Sequence, residues 1–354
     1  MPAHSEQTDA PEQDARRLRN GLLWTAGLAL LCVAVGLAIP DLRNVLDRAT
    51  HAQIGWVAIA VALELASCLG YVAVVRLVLH RGPAREVRRL AWAEMAFGAV
   101  VPLGGAGGLA VGAWAMRAWG IPWSRVANRS AVIFLLTSAV NAAVLGLSGV
   151  GLIVGLGPAH ALPSGIVLTA AGFGLLGGFM ALPWLTAIAP APMRGRRWFI
   201  GAQRLAVWVR DTEAVAFSAN WRVLGALTYL LADIAALWAC FAAVGQSPSI
   251  VALVAGYQIG YLANLVPIPG AIGVLDGGLL AALHLFGLAL SPAATAIILY
   301  HAVALWLPAL GGTWGFASLR RSLTHRAGAI APLSASLPTA TVAATVPHRL
   351  ESRA

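Results

Sequence analysis

Apolar residues in this chain come neither in alternation nor in a helical stripe. They come in runs: 21–39, 54–79, 129–156, 163–189, 222–244 and 293–318 are each nearly free of charge. About 17 to 25 such residues suffice for a helix to cross a bilayer, so six full crossings joined by short polar loops are predicted. Two further apolar regions, 90–118 and 249–290, are interrupted at their centres by proline and glycine. The arms of the first, about 12 residues each, rise only ~18 Å, short of a ~30 Å hydrocarbon core, and predict a re-entrant hairpin. The arms of the second, about 17 to 19 residues each, fit either a re-entrant hairpin or two full crossings.

Arginines fix the sidedness, because positive loops stay on the cytoplasmic side. Arg16, Arg17 and Arg19 put the N-terminus inside, and the run that follows is too long for the ~7 to 15 residue core of a signal peptide, so it reads as a retained anchor. Arg81, Arg85, Arg88 and Arg89 make the second loop cytoplasmic. Arg117, Arg125 and Arg129 lie on the same side, which requires 90–118 to enter and return. The basic 190–221 loop and Arg320/Arg321 complete the pattern. Both termini are expected in the cytoplasm of a cell with an inner membrane.

Composition agrees: 59% of the 354 residues are hydrophobic and 11% charged, against about a quarter charged in soluble domains. The 1–20 tail, the 190–221 loop and a Ser/Thr/Ala/Pro-rich, disordered cytoplasmic tail over 321–354 are too small or too polar to enclose a catalytic core. All 24 basic residues are arginine, which excludes a phosphate-loop lysine and Schiff-base chemistry. Cys32, Cys68 and Cys240 are isolated and suggest neither disulfides nor a metal. No nucleophile and base pair is visible, so no enzyme and no cofactor are expected. The arginines are spread over several loops, which argues against nucleic acid as a partner. Within 194–213, Arg197, Arg204 and Arg210 interleave with Trp198, Phe199, Leu205 and Trp208, as in an interfacial helix facing anionic headgroups.

The two interruptions are related. V-P-L-G-G-A-G-G, 101–108, and V-P-I-P-G-A-I-G, 266–273, both fit V-P-x-x-G-A-x-G. An odd number of crossings separates them, so the repeats are inverted. Matching breaks in oppositely oriented halves point to a transporter-like site near the bilayer midplane. Free backbone N–H and C=O groups are costly in hydrocarbon unless protein or a water-filled cavity satisfies them. The helix restarting after each break offers N–H groups to an anion. Kinked helices packed through glycine are the plainer alternative.

The segments NLVPIPGAIGVLDGGLLAAL, PLGGAGG with AMRAWG, and ILYHAVALWLPALGG resemble the transmembrane domain of lysylphosphatidylglycerol synthases and their stand-alone flippase-like relatives, over roughly 20–320. The resemblance implies an eight-or-so-helix domain with two re-entrant hairpins, associated with moving charged or glycosylated lipids. No aminoacyl-transferase domain follows in this sequence, so synthase activity is not expected. Ala271, Asp276 and His301 stand where relatives often carry glycine, glutamate and arginine, which leaves the substrate open.

Ten of the 14 acids lie in tails and loops, leaving Glu64, Glu94, Asp233 and Asp276 in apolar segments. Intramembrane charges usually face a cavity or a partner. Glu94 is expected to contact a cationic headgroup or an arginine. Asp276 either binds a headgroup or is an anion stabilised by the dipole in the first turns of the helix after the break. Arg117 and Arg129 fit lipid phosphate or ordinary interfacial anchoring. Tyr257, Gln258, Tyr261 and Asn264 form a polar cluster before the second break. His301 and His284 read as proton carriers or as packing residues. The expected substrate site therefore comprises Glu94, Pro102, Gly105, Arg117, Arg129, Asn264, Pro267, Pro269, Gly270, Gly273, Asp276 and His301. The function expected is translocation of a membrane phospholipid or glycolipid; the alternatives are a proton- or ion-coupled solute transporter and a non-transporting partner of a lipid-modifying enzyme.

Overall fold

The computed structural model describes residues 51–100, 106–190, 195–263 and 272–335. The 21–39 run, Pro102, Gly105, Asn264, Pro267, Pro269 and Gly270 lie outside the described residues. Those described form ten α-helices: α1 (Ile54–Val78), α2 (Ala84–Val100), α3 (Ala106–Ala118), α4 (Trp123–Ile153), α5 (Leu162–Ile188), α6 (Arg197–Ala216), α7 (Leu224–Ala243), α8 (Ile250–Ala263), α9 (Ile272–Leu285) and α10 (Leu290–Ala335). Five segments are long and apolar enough to cross a bilayer: Ile54–Val78, Trp123–Ile153, Ala159–Ile188, Trp221–Ala243 and Leu290–Thr324. They match the last five predicted runs.

Several boundaries differ from the sequence reading. The helix expected from residue 90 begins at Ala84, so Arg85, Arg88 and Arg89 are helical. Val87 and Leu90 are buried while Glu86 occupies the first turn, where the positive end of the helix dipole favours an acid. Likewise α4 starts at Trp123, ahead of Arg125 and Arg129. The helix expected to end near 318 continues to Ala335. Helices α8 and α9 are described over 14 residues each, on either side of 264–271, which lie outside the described residues.

Glycine ends four of these helices in one way. Gly120, Gly155, Gly245 and Gly287 have φ between 76° and 89°, a region open to glycine at little cost. In each case the next residue's N–H reaches back five positions: Ile121 to Met116 O (3.0 Å), Leu156 to Gly151 O (3.0 Å), Gln246 to Phe241 O (2.9 Å) and Leu288 to Leu283 O (3.2 Å). This is the Schellman closure, which satisfies carbonyls otherwise bare at the helix end.

Glycine also sets how the helices pack. Inside a bilayer, association relies on close van der Waals fit, and small residues let backbones approach. At the centre α1 crosses α7. A Cβ on Gly70 would lie 2.6 Å from Tyr229 N and 2.7 Å from Gly225 O, and one on Gly225 would lie 2.6 Å from Gly70 O. Ser67 Oγ donates to Tyr229 O across the same contact (2.8 Å). Around this pair, α2 packs on α3 and α10, α8 on α9 and α4, and α5 on α4. The amphipathic segment forms α6, which buries Phe199, Ala206, Val209 and Thr212 against α4 and α5.

Replacing Gly70 by valine is expected to force the α1 and α7 backbones apart and to cost at least about 1–3 kcal/mol, as overpacking does. Gly174 has open space around it, and Gly174→Val should stay within about 0.5 kcal/mol of the parent. Thermal unfolding of the purified variants in detergent checks the contrast.

Candidate functional site

The α1–α7 crossing places Glu64, near the middle of one span, beside Asp233, near the middle of the other. Glu64 is 5% exposed. Its Oε1 accepts from Cys68 Sγ (3.7 Å), and its Oε2 is buried without a hydrogen-bond partner. Asp233 is half-buried. It accepts from Tyr300 Oη of α10 through Oδ1 (2.7 Å) and from Tyr257 Oη of α8 through Oδ2. His301 stands beside Tyr300, ring centroids 5.0 Å apart, within the field of Asp233. Its Nδ1 lies 3.1 Å from Ile297 O.

A third acid joins the group from the other side. Glu94 of α2, 8% exposed, accepts from Tyr71 Oη of α1 (3.0 Å). The Tyr71 ring packs on Tyr229 of α7 with centroids 5.3 Å apart, and Tyr229 lies in the field of Asp233, Glu64 and Tyr261. Polar groups therefore form a string, Glu94, Tyr71, Tyr229, Asp233 and Tyr257, that runs from the α2–α3 pair through the bundle centre to the α8–α9 pair. Glycines hold the first end in place: a Cβ on Gly108 would lie 2.6 Å from Glu94 O, and one on Gly112 would collide with Glu94 Oε1. Gln258 of α8, 2% exposed, donates from Nε2 to Asn141 O of α4 (3.2 Å).

Of the residues predicted from sequence, Glu94 and His301 lie at this string. Arg117 does not. It is exposed at the end of α3, donates from Nη1 to Ile121 O (2.8 Å) and covers the Trp123 ring at 5.2 Å. With Ala110, Ala113, Trp114, Ala118 and Trp123 it lines an open groove of about 630 Å3. Arg129 is half-buried, with Arg125 and Arg81 near enough to repel it. Gly273 and Asp276 take the first turns of α9. His284 Nδ1 lies 3.0 Å from Leu288 O at the far end of that helix. Among the described residues no group of three or more metal-ligating side chains occurs.

Sequence reasoning noted Glu64 and Asp233 as intramembrane acids but left them out of the site. Tyr71 and Tyr300, single tyrosines in apolar helices, carried no local signal. The signal that was available is the scarcity of acids: with only four in apolar segments, two that fall mid-span invite a common partner.

A family model described as the lysylphosphatidylglycerol synthase TM region matches residues 23–312. No curated protein matches the chain.

Removing the Tyr71 hydroxyl leaves buried Glu94 without its tyrosine donor, and removing that of Tyr257 or Tyr300 leaves Asp233 with one donor of two, at about 1–3 kcal/mol. Tyr71→Phe, Tyr257→Phe and Tyr300→Phe should each lower stability in detergent by that order. Tyr257 and Tyr300 share Asp233 as acceptor, so their double variant should depart from the sum of the single effects. Thermal unfolding of the four variants measures both expectations.

Proposed function

Taking as premise that the chain belongs to the family of the lysylphosphatidylglycerol synthase TM region, we propose that this membrane protein moves a polar-headed lipid between leaflets. The observation that carries the reading is the polar string from buried Glu94 through half-buried Tyr71, Tyr229 and Asp233 to Tyr257. Ionisable groups in mid-membrane cost several kcal/mol each on insertion scales, about 2.5–3.5 for a central aspartate, and are typically retained where a polar cargo passes.

The inverted repeat expected from the twin V-P-x-x-G-A-x-G segments supports the same reading. The register that sets Val101 against Val266 also sets α1 against Trp221–Ala243, α2 against α8, α3 against α9 and α4 against the first part of α10. The packing follows it, since α2 packs on α10 as α8 packs on α4, while α1 and α7, a matched pair, pack on each other. In this register Glu64 falls on Tyr229 and Cys68 on Asp233. The polar cluster then sits where the two halves meet, as transporter sites do.

The arms of the first broken region, about 12 residues on either side of its Pro/Gly centre, are too short to cross ~30 Å alone and fit a re-entrant hairpin. The groove at Arg117, apolar apart from one guanidinium, suits the phosphate of a phospholipid or glycolipid docking from the membrane. Glu94 and Asp233 offer negative charge to the cationic part of a headgroup. On this reading the protein is no enzyme and resides in the inner (plasma) membrane with both termini in the cytoplasm. Any lipid-modifying enzyme partner acts on the cargo before or after it crosses.

The test is leaflet-resolved movement of aminoacylated, anionic and glycosylated lipids in proteoliposomes. The wild-type protein should accelerate one class, and Glu94→Ala and Asp233→Leu should each abolish at least nine-tenths of the acceleration while remaining folded. Movement of no class by folded protein would refute the reading.

A further inference from the structure

Two carboxyl groups side by side in mid-membrane raise a question that lipid binding leaves unanswered. The groups acting on the Glu64–Asp233 pair come from four helices: Cys68 from α1, Tyr229 and Cys240 from α7, Tyr257 and Tyr261 from α8, Tyr300 and His301 from α10. Among the described residues, His301 is the only one of these able to carry positive charge, and no arginine faces the pair. Two like charges side by side in a low-dielectric surrounding repel strongly, so the doubly ionised pair persists only where neighbouring donors compensate it. Hydrogen bonds satisfy both Asp233 oxygens. Glu64 Oε2, by contrast, is buried and meets no geometric hydrogen bond, while its carboxyl interacts with that of Asp233.

We propose that the Glu64–Asp233 pair is an intramembrane proton site, holding one proton between its carboxyls and exchanging it with water through Asp233. Asp233 is the member that the hydroxyls of α8 and α10 reach, so the proton's path runs through that side. Loss of the proton leaves a second negative charge facing Tyr257 and Tyr300, whose hydroxyls then bind Asp233 more tightly. The α8–α9 pair is thereby held to the α1–α7 centre, and proton uptake releases it. Resting on the lipid-moving reading above, the site supplies that movement with a coupled ion.

Two measurements separate the claims. Infrared difference spectra between acid and alkaline pH, taken on purified protein in detergent without lipid cargo, should contain a carboxylic-acid C=O band. That band should vanish in Asp233→Asn and in Glu64→Gln, persist in Glu94→Gln, and move to higher frequency in Tyr300→Phe, which removes a hydrogen bond and keeps the acid. It should be indifferent to sodium. Absence of any band dependent on Glu64 or Asp233, or a band that appears only when sodium is withdrawn, overturns the proton site. In proteoliposomes an imposed pH gradient should change the wild-type lipid rate several-fold and leave that of Asp233→Asn unchanged; a wild-type rate blind to the gradient overturns the coupling. A titrating band in a protein that moves no lipid would refute the lipid reading alone and leave the proton site standing.

Discussion

The backbone contact between α1 and α7 is the constraint on which the site depends. Gly70 and Gly225 bring the two helices close enough that no Cβ fits between them, and only at that separation does Glu64 meet Asp233 and Tyr71 meet Tyr229. Acids are expensive in hydrocarbon, and a loose crossing would expose them to lipid. The same closeness keeps their donors fixed, since Tyr257 and Tyr300 come from helices packed on α7. Packing and polarity are thus one arrangement: small residues provide the fit, and the fit provides the partners.

The periphery serves a different purpose. Helix α5 packs mainly on α4, and only 17% of its apolar window is buried within the protein. Exposed Trp184, Leu185, Ile188 and Phe173 face outward there, which in lipid carries no penalty. Between centre and rim, the α2–α3 and α8–α9 pairs touch the string through Glu94 and Tyr257, each through a single tyrosine hydroxyl. Apolar packing holds them otherwise, through Leu90 and Ala93 of α2 and Leu253 and Ala255 of α8, all buried.

Much of this architecture was legible in the sequence. Unbroken apolar runs gave the spans because length and hydropathy are local properties, and Gly120, Gly155, Gly245 and Gly287 mark helix ends by the conformation they permit. Helix starts were less legible: Arg85 and Arg125 look like loop residues, yet each sits in the first turns of a helix whose inner face is apolar. The site was half legible. Glu94 and His301 stood out, as did the acids at 64 and 233, but the register that pairs those acids depends on Gly70 meeting Gly225, a contact between distant segments that no local pattern shows. Pro102, Gly105, Pro267 and Gly270 lie outside the described residues, so the twin breaks that prompted the transporter reading bear on it through sequence alone.

The central claim is that a lipid headgroup travels along the polar string rather than around the protein. A phospholipid carrying a photoactivatable group in its headgroup, irradiated in proteoliposomes and followed by peptide mapping, tests it most directly. Adducts at Tyr71 and Tyr257, together with the groove residue Trp114, are the result the account predicts. Adducts confined to outward-facing side chains such as Met180 and Trp184 of α5 would contradict it.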